Sequence, residues 1–431
     1  MKKLILASGL LLLLTVTACQ SKHKQGSGNL EHKTLTDSSI VKIIPEYAQG
    51  FKITYTDQAC LLDIQDPQNK EVSLSLCFGA KRCGSGNIPA DYTVIETPIR
   101  SVICMTSLQL SNFIKLEELD AVVGITSTRH LFNKKINDRL KEGSIHKIGI
   151  EGNFDNEVIM SVNPDLILIS PFKRGGYDAL KEVGIPLMPH LGYKEMTPLG
   201  QAEWIKFVGL LLGKEDKANE QFAAIKKRYN ELKELTGRVT KRPVVFSGEL
   251  RGGNWYAVGG RSFLAQLFKD AGADYFLKDD ERSGGVTLDF ETVYSQAAGA
   301  DYWRIVNSYQ GKFSYNTLKE EDARYVDFKA YKEKGVIYCN MREKPFYESM
   351  PTEPEVVLAD LIQIFHRSFC PATNRDIMNC LNRKIVYETT CCILYAVNYG
   401  FYFSVFLPES GIRFCFHTAS CCVEYPLGNR E

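Results

Sequence analysis

The sequence has no surplus of either charge. Lys and Arg number 52 against 51 Asp and Glu, a formal net charge of +1, so the basic field that draws a protein onto nucleic acid is missing and no nucleic acid is expected as partner. Missing too are the short motifs of common catalytic chemistry: a G-x-S-x-G elbow, a G-x-x-x-x-G-K-[ST] phosphate loop, an H-E-x-x-H pair and a C-x-x-C. No catalytic residue, cofactor or enzyme activity is therefore assigned. His130, His146 and His190 are spaced too widely to share one element, so they are read as surface or core histidines and no metal site is assigned.

What is present begins with a leader. Lys2 and Lys3 precede an apolar run from Leu4 to Val16, too short to span a bilayer comfortably and placed as a signal sequence. It ends in Val16-Thr17-Ala18-Cys19, which resembles a bacterial lipobox. That resemblance makes Cys19 the acylated first residue of the mature protein. Residues 1–19 are read as signal and lipobox, and residues 20–48 as a flexible tether, polar and rich in Ser, Gly, Lys and Gln from Gln20 to Glu31. After the leader, no apolar run before His366 reads as a transmembrane helix.

Seven of the thirteen cysteines follow His366, in a segment (367–431) with no clear helical or strand period. A stapled appendix or a membrane anchor over Ile385 to Leu407 is one reading, although Glu388 and Asn398 interrupt it. A shifted reading frame is the other. Codons for Asp376-Ile377-Met378-Asn379, displaced by one base, spell Tyr-Tyr-Glu, which belongs to an ordinary polar and aromatic terminus.

The body is organised around Lys214 to Thr236, where Ala218, Phe222, Ile225, Tyr229, Leu232 and Leu235 recur at helical spacing without a proline. Glu215 and Asp216 suit the positive end of its dipole, and Gly237 is expected to stop it in the left-handed conformation. A helix of this length spans roughly 35 Å. It reads either as a brace between two lobes or as a surface helix of one domain. Before it, Phe51 to Tyr55, Leu61 to Ile64 and Val72 to Leu76 form an antiparallel β-rich preface (49–96). Cys60, Cys77 and Cys83 lie there, either as one disulfide and one thiol or as three thiols.

From Arg100 strands and helices alternate, which implies parallel pairing. Strands are expected at Ser101 to Met105, Ala121 to Ile125, His146 to Ile150, Leu166 to Ile169 and Pro186 to Pro189. Helices are expected at Leu108 to Leu116, Asp155 to Ser161, Gly175 to Val183 and Ala202 to Leu212. Beyond the brace the same alternation returns, with strands at Pro243 to Phe246, Asp274 to Phe276, Asp301 to Val306 and Gly335 to Asn340. Helices there are Phe263 to Ala271, Phe290 to Ala297 and Glu353 to Phe365. Asn156 to Ile167 and Phe290 to Trp303 echo one another at the same stage of each lobe. The predicted fold is α/β: two Rossmann-like lobes (97–213 and 238–366) joined by a long rigid helix (214–237).

Together the lipobox, Arg100 to Cys104, the Val162 to Ile167 step, the brace and the Ala271 to Tyr275 turn resemble a substrate-binding lipoprotein of an ABC importer, of the iron-siderophore, haem and cobalamin type. The resemblance covers about residues 95 to 366. It implies a monomer, held at the cell envelope by Cys19, that captures a ferric siderophore or haem between two lobes and delivers it to a permease and its cytoplasmic ATPase. A cobalamin-binding importer component and, in a different class, a lipid-anchored α/β hydrolase are the alternatives.

Ligands of open α/β sheets sit outside the carboxyl ends of the strands. That rule nominates Thr106, Arg129, His130, Phe172 and Lys173 in the first lobe, and Arg251, Trp255, Arg282, Arg342, Phe346 and Tyr347 in the second. Arginine forks with aromatic rings suit an anionic, partly planar ligand. Each residue taken singly also reads as a solvated cation or a core ring. The resemblance further implies one acidic docking residue on each lobe for permease arginines, and the internal echo places Glu157 and Glu291 there. A lone glutamate at a helix start also reads as a dipole contact.

Overall fold

The computed structural model describes residues 43–55, 60–69, 72–78, 92–126, 131–150, 153–171, 177–366, 379–380, 403–406, 413–418 and 421–422. The leader with Cys19, the tether to residue 42, Cys83, Arg129, His130, Phe172, Lys173 and most of the segment after His366 lie outside the described residues.

The preface is a four-stranded sheet. Strands β1 (Phe51–Tyr55), β2 (Cys60–Gln65) and β3 (Val72–Phe78) pair antiparallel, with Phe51 opposite Ile64 and Leu62 opposite Leu76. Strand β4 (Thr93–Ile95) joins β3 in parallel, which corrects the expectation of a purely antiparallel preface. A parallel neighbour needs a long return, and the chain between β3 and β4 supplies it.

Ahead of β1 the backbone is gripped by two carboxylates. Glu203 (0 % exposed) accepts the N–H groups of Glu46, Tyr47 and Ala48 at 2.6–2.9 Å and the Lys206 ammonium at 2.7 Å. Glu195 accepts those of Gln49 and Gly50, together with the Trp204 indole N–H at 2.9 Å. Five successive amides, those of Ala48 and Gly50 buried, thus receive charged acceptors.

The first lobe runs β5 (Val102–Cys104), α1 (Ser107–Leu116), β6 (Val122–Ile125), α2 (Lys134–Glu142), β7 (His146–Lys147), the hairpin β8 (Gly149–Ile150) and β9 (Asn153–Phe154), α3 (Asn156–Val162), β10 (Leu166–Ile169), α4 (Asp178–Lys181), β11 (Leu187–Pro189), α5 (Pro198–Ala202) and α6 (Trp204–Leu212). Its parallel sheet has the order β11-β10-β5-β6-β7. Strand β10 reads Leu-Ile-Leu-Ile and is buried throughout, as a strand covered on both faces must be. The strand expected from His146 to Ile150 is broken at Ile148, whose side chain is fully buried. Thr197 caps α5 with Pro198 at its first position, the helix start that their cap-then-proline order implies, and the apolar helix expected over Ala202 to Leu212 is α6, which begins at Trp204 after the inward Glu203. Helix α2, with one buried residue, Ile136, was not anticipated.

The brace is α7 (Glu215–Thr236). Ala218, Phe222, Ile225, Tyr229 and Leu232 are buried as its period requires, while Leu235 is 41 % exposed. Gly209 of α6 lets it close in, since a Cβ there would meet the Ala218 Cβ at 2.4 Å. At its far end Tyr229 donates to Asp270 Oδ2 at 2.9 Å and Thr236 Oγ1 to the Asp270 carbonyl at 2.7 Å. One helix thus packs on both lobes. Gly237, expected in the left-handed region, has φ −61° and continues the right-handed turn.

The second lobe runs β12 (Val244–Ser247), β13 (Glu249–Arg251), β14 (Asn254–Val258), α8 (Phe263–Asp270), β15 (Asp274–Tyr275), β16 (Gly285–Leu288), α9 (Phe290–Ala297), β17 (Tyr302–Asn307), α10 (Tyr315–Glu321), α11 (Lys329–Lys332), β18 (Val336–Asn340), α12 (Phe346–Ser349) and α13 (Pro354–Phe365). Its main sheet orders β15-β12-β17-β18, all parallel. Read from the other edge this is β18-β17-β12-β15, the counterpart of β11-β10-β5-β6, so the echo in the sequence is a repeat of topology. The antiparallel sheet β13-β14-β16, with α10 and α11, was not anticipated. After His366, Asn379–Cys380 pairs antiparallel with β18, and Phe403–Phe406, Arg413–Thr418 and Cys421–Cys422 are short strands, where the sequence showed no strand period.

Candidate functional site

In the second lobe the carboxyl end of β12 turns at Gly248, whose φ of +101° and close approach to the Tyr256 carbonyl exclude a side chain. Beside it, in register with Ser247, stands Arg304 of β17. Its Nε is shut off from solvent and has no hydrogen-bond partner. Among the described residues no carboxylate lies within ion-pair distance of its guanidinium. The guanidinium carbon is 5.9 Å from the centre of the Phe346 ring. Burial pulls the Arg304 pKa down to about 10, with Cys339, Tyr275 and Tyr347 nearby. Tyr347 is 43 % exposed and feels both Arg304 and Arg251, which act against the burial that raises its phenol pKa.

Of the nominated residues in this lobe, Phe346 and Tyr347 therefore lie beside Arg304, a residue the sequence reading missed, and Arg251 lies near Tyr347. Arg251 is held by Glu249 at 2.6 Å. Arg282 is exposed and chelated by Asp280 at 2.6 Å, and Arg342 donates through Nε to the Ser308 carbonyl at 2.7 Å. Trp255 is corrected from cleft to core. It is 0 % exposed, its indole N–H donates to the Ser247 carbonyl at 2.9 Å, and its ring packs among Phe246, Trp303, Tyr325 and Phe328.

In the first lobe Thr106, just past β5, caps α1. It shares a reciprocal pair of bonds with Gln109 at 3.3–3.4 Å. Behind it Gln109 Nε2 donates to Ser170 Oγ at 3.0 Å. Asn112 Nδ2 lies 3.2 Å from His190 Nε2, while Asn112 Oδ1 and His190 Nδ1 have no partner. Burial pulls the His190 pKa down to about 3, so this ring is neutral. The lobes meet where Glu348 of α12 accepts the N–H groups of Phe132 (2.8 Å) and Asn133 (2.9 Å), and where Lys115 reaches Glu353 at 3.4 Å.

Glu157 and Glu291 occupy the second position of α3 and α9. Each helix is capped by an aspartate: Asp155 accepts from Val158 N at 3.1 Å and Asp289 from Thr292 N at 2.7 Å. Both glutamates are exposed. Arg324 lies 3.6 Å from Glu291.

Among the described residues no group of His, Cys, Asp and Glu is arranged to hold a metal, and no helix is long and apolar enough to cross a membrane.

Residues 102–342 match the family model described as periplasmic binding protein. The chain is 25 % identical over 400 residues to an uncharacterized lipoprotein of Methanocaldococcus jannaschii, covering 85 % of this chain and 93 % of the relative. Its fold is similar to that of a possible iron-binding (periplasmic solute-binding) protein of Staphylococcus epidermidis, with TM-score 0.50, 15 % identity, 63 % of this chain and 100 % of that one. It is also similar to the molybdate periplasmic binding protein of Haemophilus influenzae, with TM-score 0.51, 15 % identity, 64 % of this chain and 85 % of that one. With two parallel-sheet lobes on one bracing helix and more than half its length matched, the chain belongs to the periplasmic binding protein family, the solute-binding proteins of ABC-type transport.

Proposed function

We propose that the chain captures an iron chelate, a ferric siderophore or haem, between its lobes and hands it to an ABC permease driven by a cytoplasmic ATPase. The observation that carries the ligand reading is Arg304: a guanidinium without an anionic partner, beside the Phe346 and Tyr347 rings, suits a ligand with anionic oxygens on a partly planar frame. Native mass spectrometry of the protein purified from its producing cells, followed by titration with ferric siderophores, haem and cobalamin, tests it. A retained or bound iron chelate is the expected result. Binding of cobalamin alone, or of none of them, overturns the ligand class.

Glu157 and Glu291 are the permease contacts in this reading, supported by their identical place after an aspartate cap. The double change Glu157→Lys and Glu291→Lys should abolish uptake and leave chelate affinity unchanged, since cation would meet cation at docking. Normal uptake by the double variant rejects the assignment. Cys19 anchors the body to the envelope, a reading supported by the lipoprotein name of the relative. Cys19→Ala should leave a full-length protein that no longer partitions with membranes.

A further inference from the structure

The equivalence of α3 and α9 extends beyond their glutamates. From Glu157 to Ser161 and from Glu291 to Ser295 the two helices alternate in the same way: exposed, partly buried, buried, exposed, exposed. The buried residue is Ile159 in one and Val293 in the other. Ser161 Oγ donates to the Val158 carbonyl at 2.8 Å and Ser295 Oγ to the Thr292 carbonyl at 2.9 Å. One turn after each glutamate, on the same face, a large apolar side chain stands in solvent: Met160 at 53 % and Tyr294 at 37 % exposure. A second exposed apolar residue lies on a neighbouring strand in each lobe. Ile150 (66 %) sits on the hairpin that leads into α3, and Tyr256 (47 %) on β14 beside α9.

Large apolar groups in solvent are ordinary when scattered, but here they recur at one repeated position beside a repeated acid. The geometry points to a docking surface made of two matched patches, Glu157 with Met160 and Glu291 with Tyr294, for a membrane permease with two equivalent sites, each basic and apolar. The inference rests on the permease reading above and adds the apolar half of the contact. The carboxylates supply orientation and rate, while the apolar groups supply burial. The two patches are not equally ready. Glu157 has no ion pair among the described residues. Arg324, held by Asp322 at 2.7 Å and stacked 3.9 Å over the Phe290 ring, screens Glu291, and a partner's cation must compete with it. Tyr294 is pre-set by stacking on Phe290 at 5.9 Å and by an edge contact with Phe328 at 5.5 Å.

The test is co-sedimentation of the full-length Cys19→Ala chain with vesicles carrying the permease and ATPase complex of the same cells, against the same vesicles without that complex. Met160→Ser and Tyr294→Ser should each weaken docking by about 3- to 10-fold, and together by about 10- to 100-fold, with an unchanged melting midpoint. Leu235→Ser, which trims an exposed apolar residue of the brace, should change nothing. Met160→Gln keeps the test valid if Tyr294→Ser perturbs the fold, because Met160 is the more exposed of the two. If Glu157→Lys with Glu291→Lys abolishes docking while the Met160 and Tyr294 variants dock normally, the apolar patches are rejected and the permease reading stands. If neither set weakens docking, both fall. Equal loss with Leu235→Ser marks general surface adhesion and also rejects the patches.

Discussion

Asp165 and Asp301 stand in the same place in the two lobes, each clipping the start of the neighbouring strand. Asp165 Oδ2 accepts the N–H groups of Arg100 (2.6 Å) and Ser101 (3.0 Å), and Asp301 Oδ2 that of Val244 (2.8 Å). In return their own N–H groups donate to the carbonyls of Ser101 (3.0 Å) and Val244 (2.9 Å).

Replacing either aspartate by alanine should cost about 1–3 kcal/mol, read as a lower urea midpoint at unchanged slope. Burial works to raise the Asp301 pKa, but the bonds from Lys329 and Val244 N–H outweigh it and the net shift is downward. Its contribution is therefore full above the unfolded carboxyl pKa and lost as pH falls through the lower folded value. Asp301→Ala should show a shallower acid limb than the parent.

Glu355 works with the opposite sign. Its Oε2 is buried without a partner, and burial pushes its pKa up to about 7. The folded state then holds a proton that the unfolded state has released, so stability falls as pH rises from about 4.5 to 7. Glu355→Gln should remove that slope, measured by melting across this window. A slope equal to the parent's would count against it.

Glu203→Ala should strip three backbone amides, that of Ala48 buried, and the Lys206 ammonium of a buried carboxylate acceptor, a loss of about 3–5 kcal/mol. Limited proteolysis should then cut between Ile43 and Gly50, where the parent resists.

Arg304→Met predicts a trade between stability and capture. Arg304 is half-buried and its Nε has no partner, so the ligand-free variant should be at least as stable as the parent. Its affinity for an anionic chelate should drop by at least about tenfold, as for loss of a charged hydrogen bond. A variant that binds normally would remove Arg304 from the site.

Much of the lobe architecture was legible because its elements advertise both period and ends. Leu166 to Ile169 is a continuous apolar run after Asn163-Pro164-Asp165, and α9 opens on an Asp cap with its buried face at helical spacing. What escaped was short or mixed in period. Arg251-Gly252-Gly253-Asn254 is a hairpin turn, and reading it as one would have sent Trp255 and Tyr256 to opposite faces of β14, as they are. Arg304 was hidden because Trp303 and Ile305 make β17 look like an all-core strand. An arginine alternating with buried apolar residues was the available signal. The β-rich loops could be named but not shaped, since loop direction depends on contacts such as Glu348 with Phe132 and Asn133, which are distant in sequence.

The closing helix α13 lies against the brace, and its buried face includes Val357, Leu358, Leu361 and Ile362. During synthesis α7 therefore leaves the ribosome long before that cover exists, and its apolar stripe must wait for the second lobe to finish. A premature stop upstream of Pro354 should leave a sticky chain for chaperones and proteases. A change of genetic message just downstream of Phe365 spares every residue of that cover, so such a chain can still assemble both lobes on one brace.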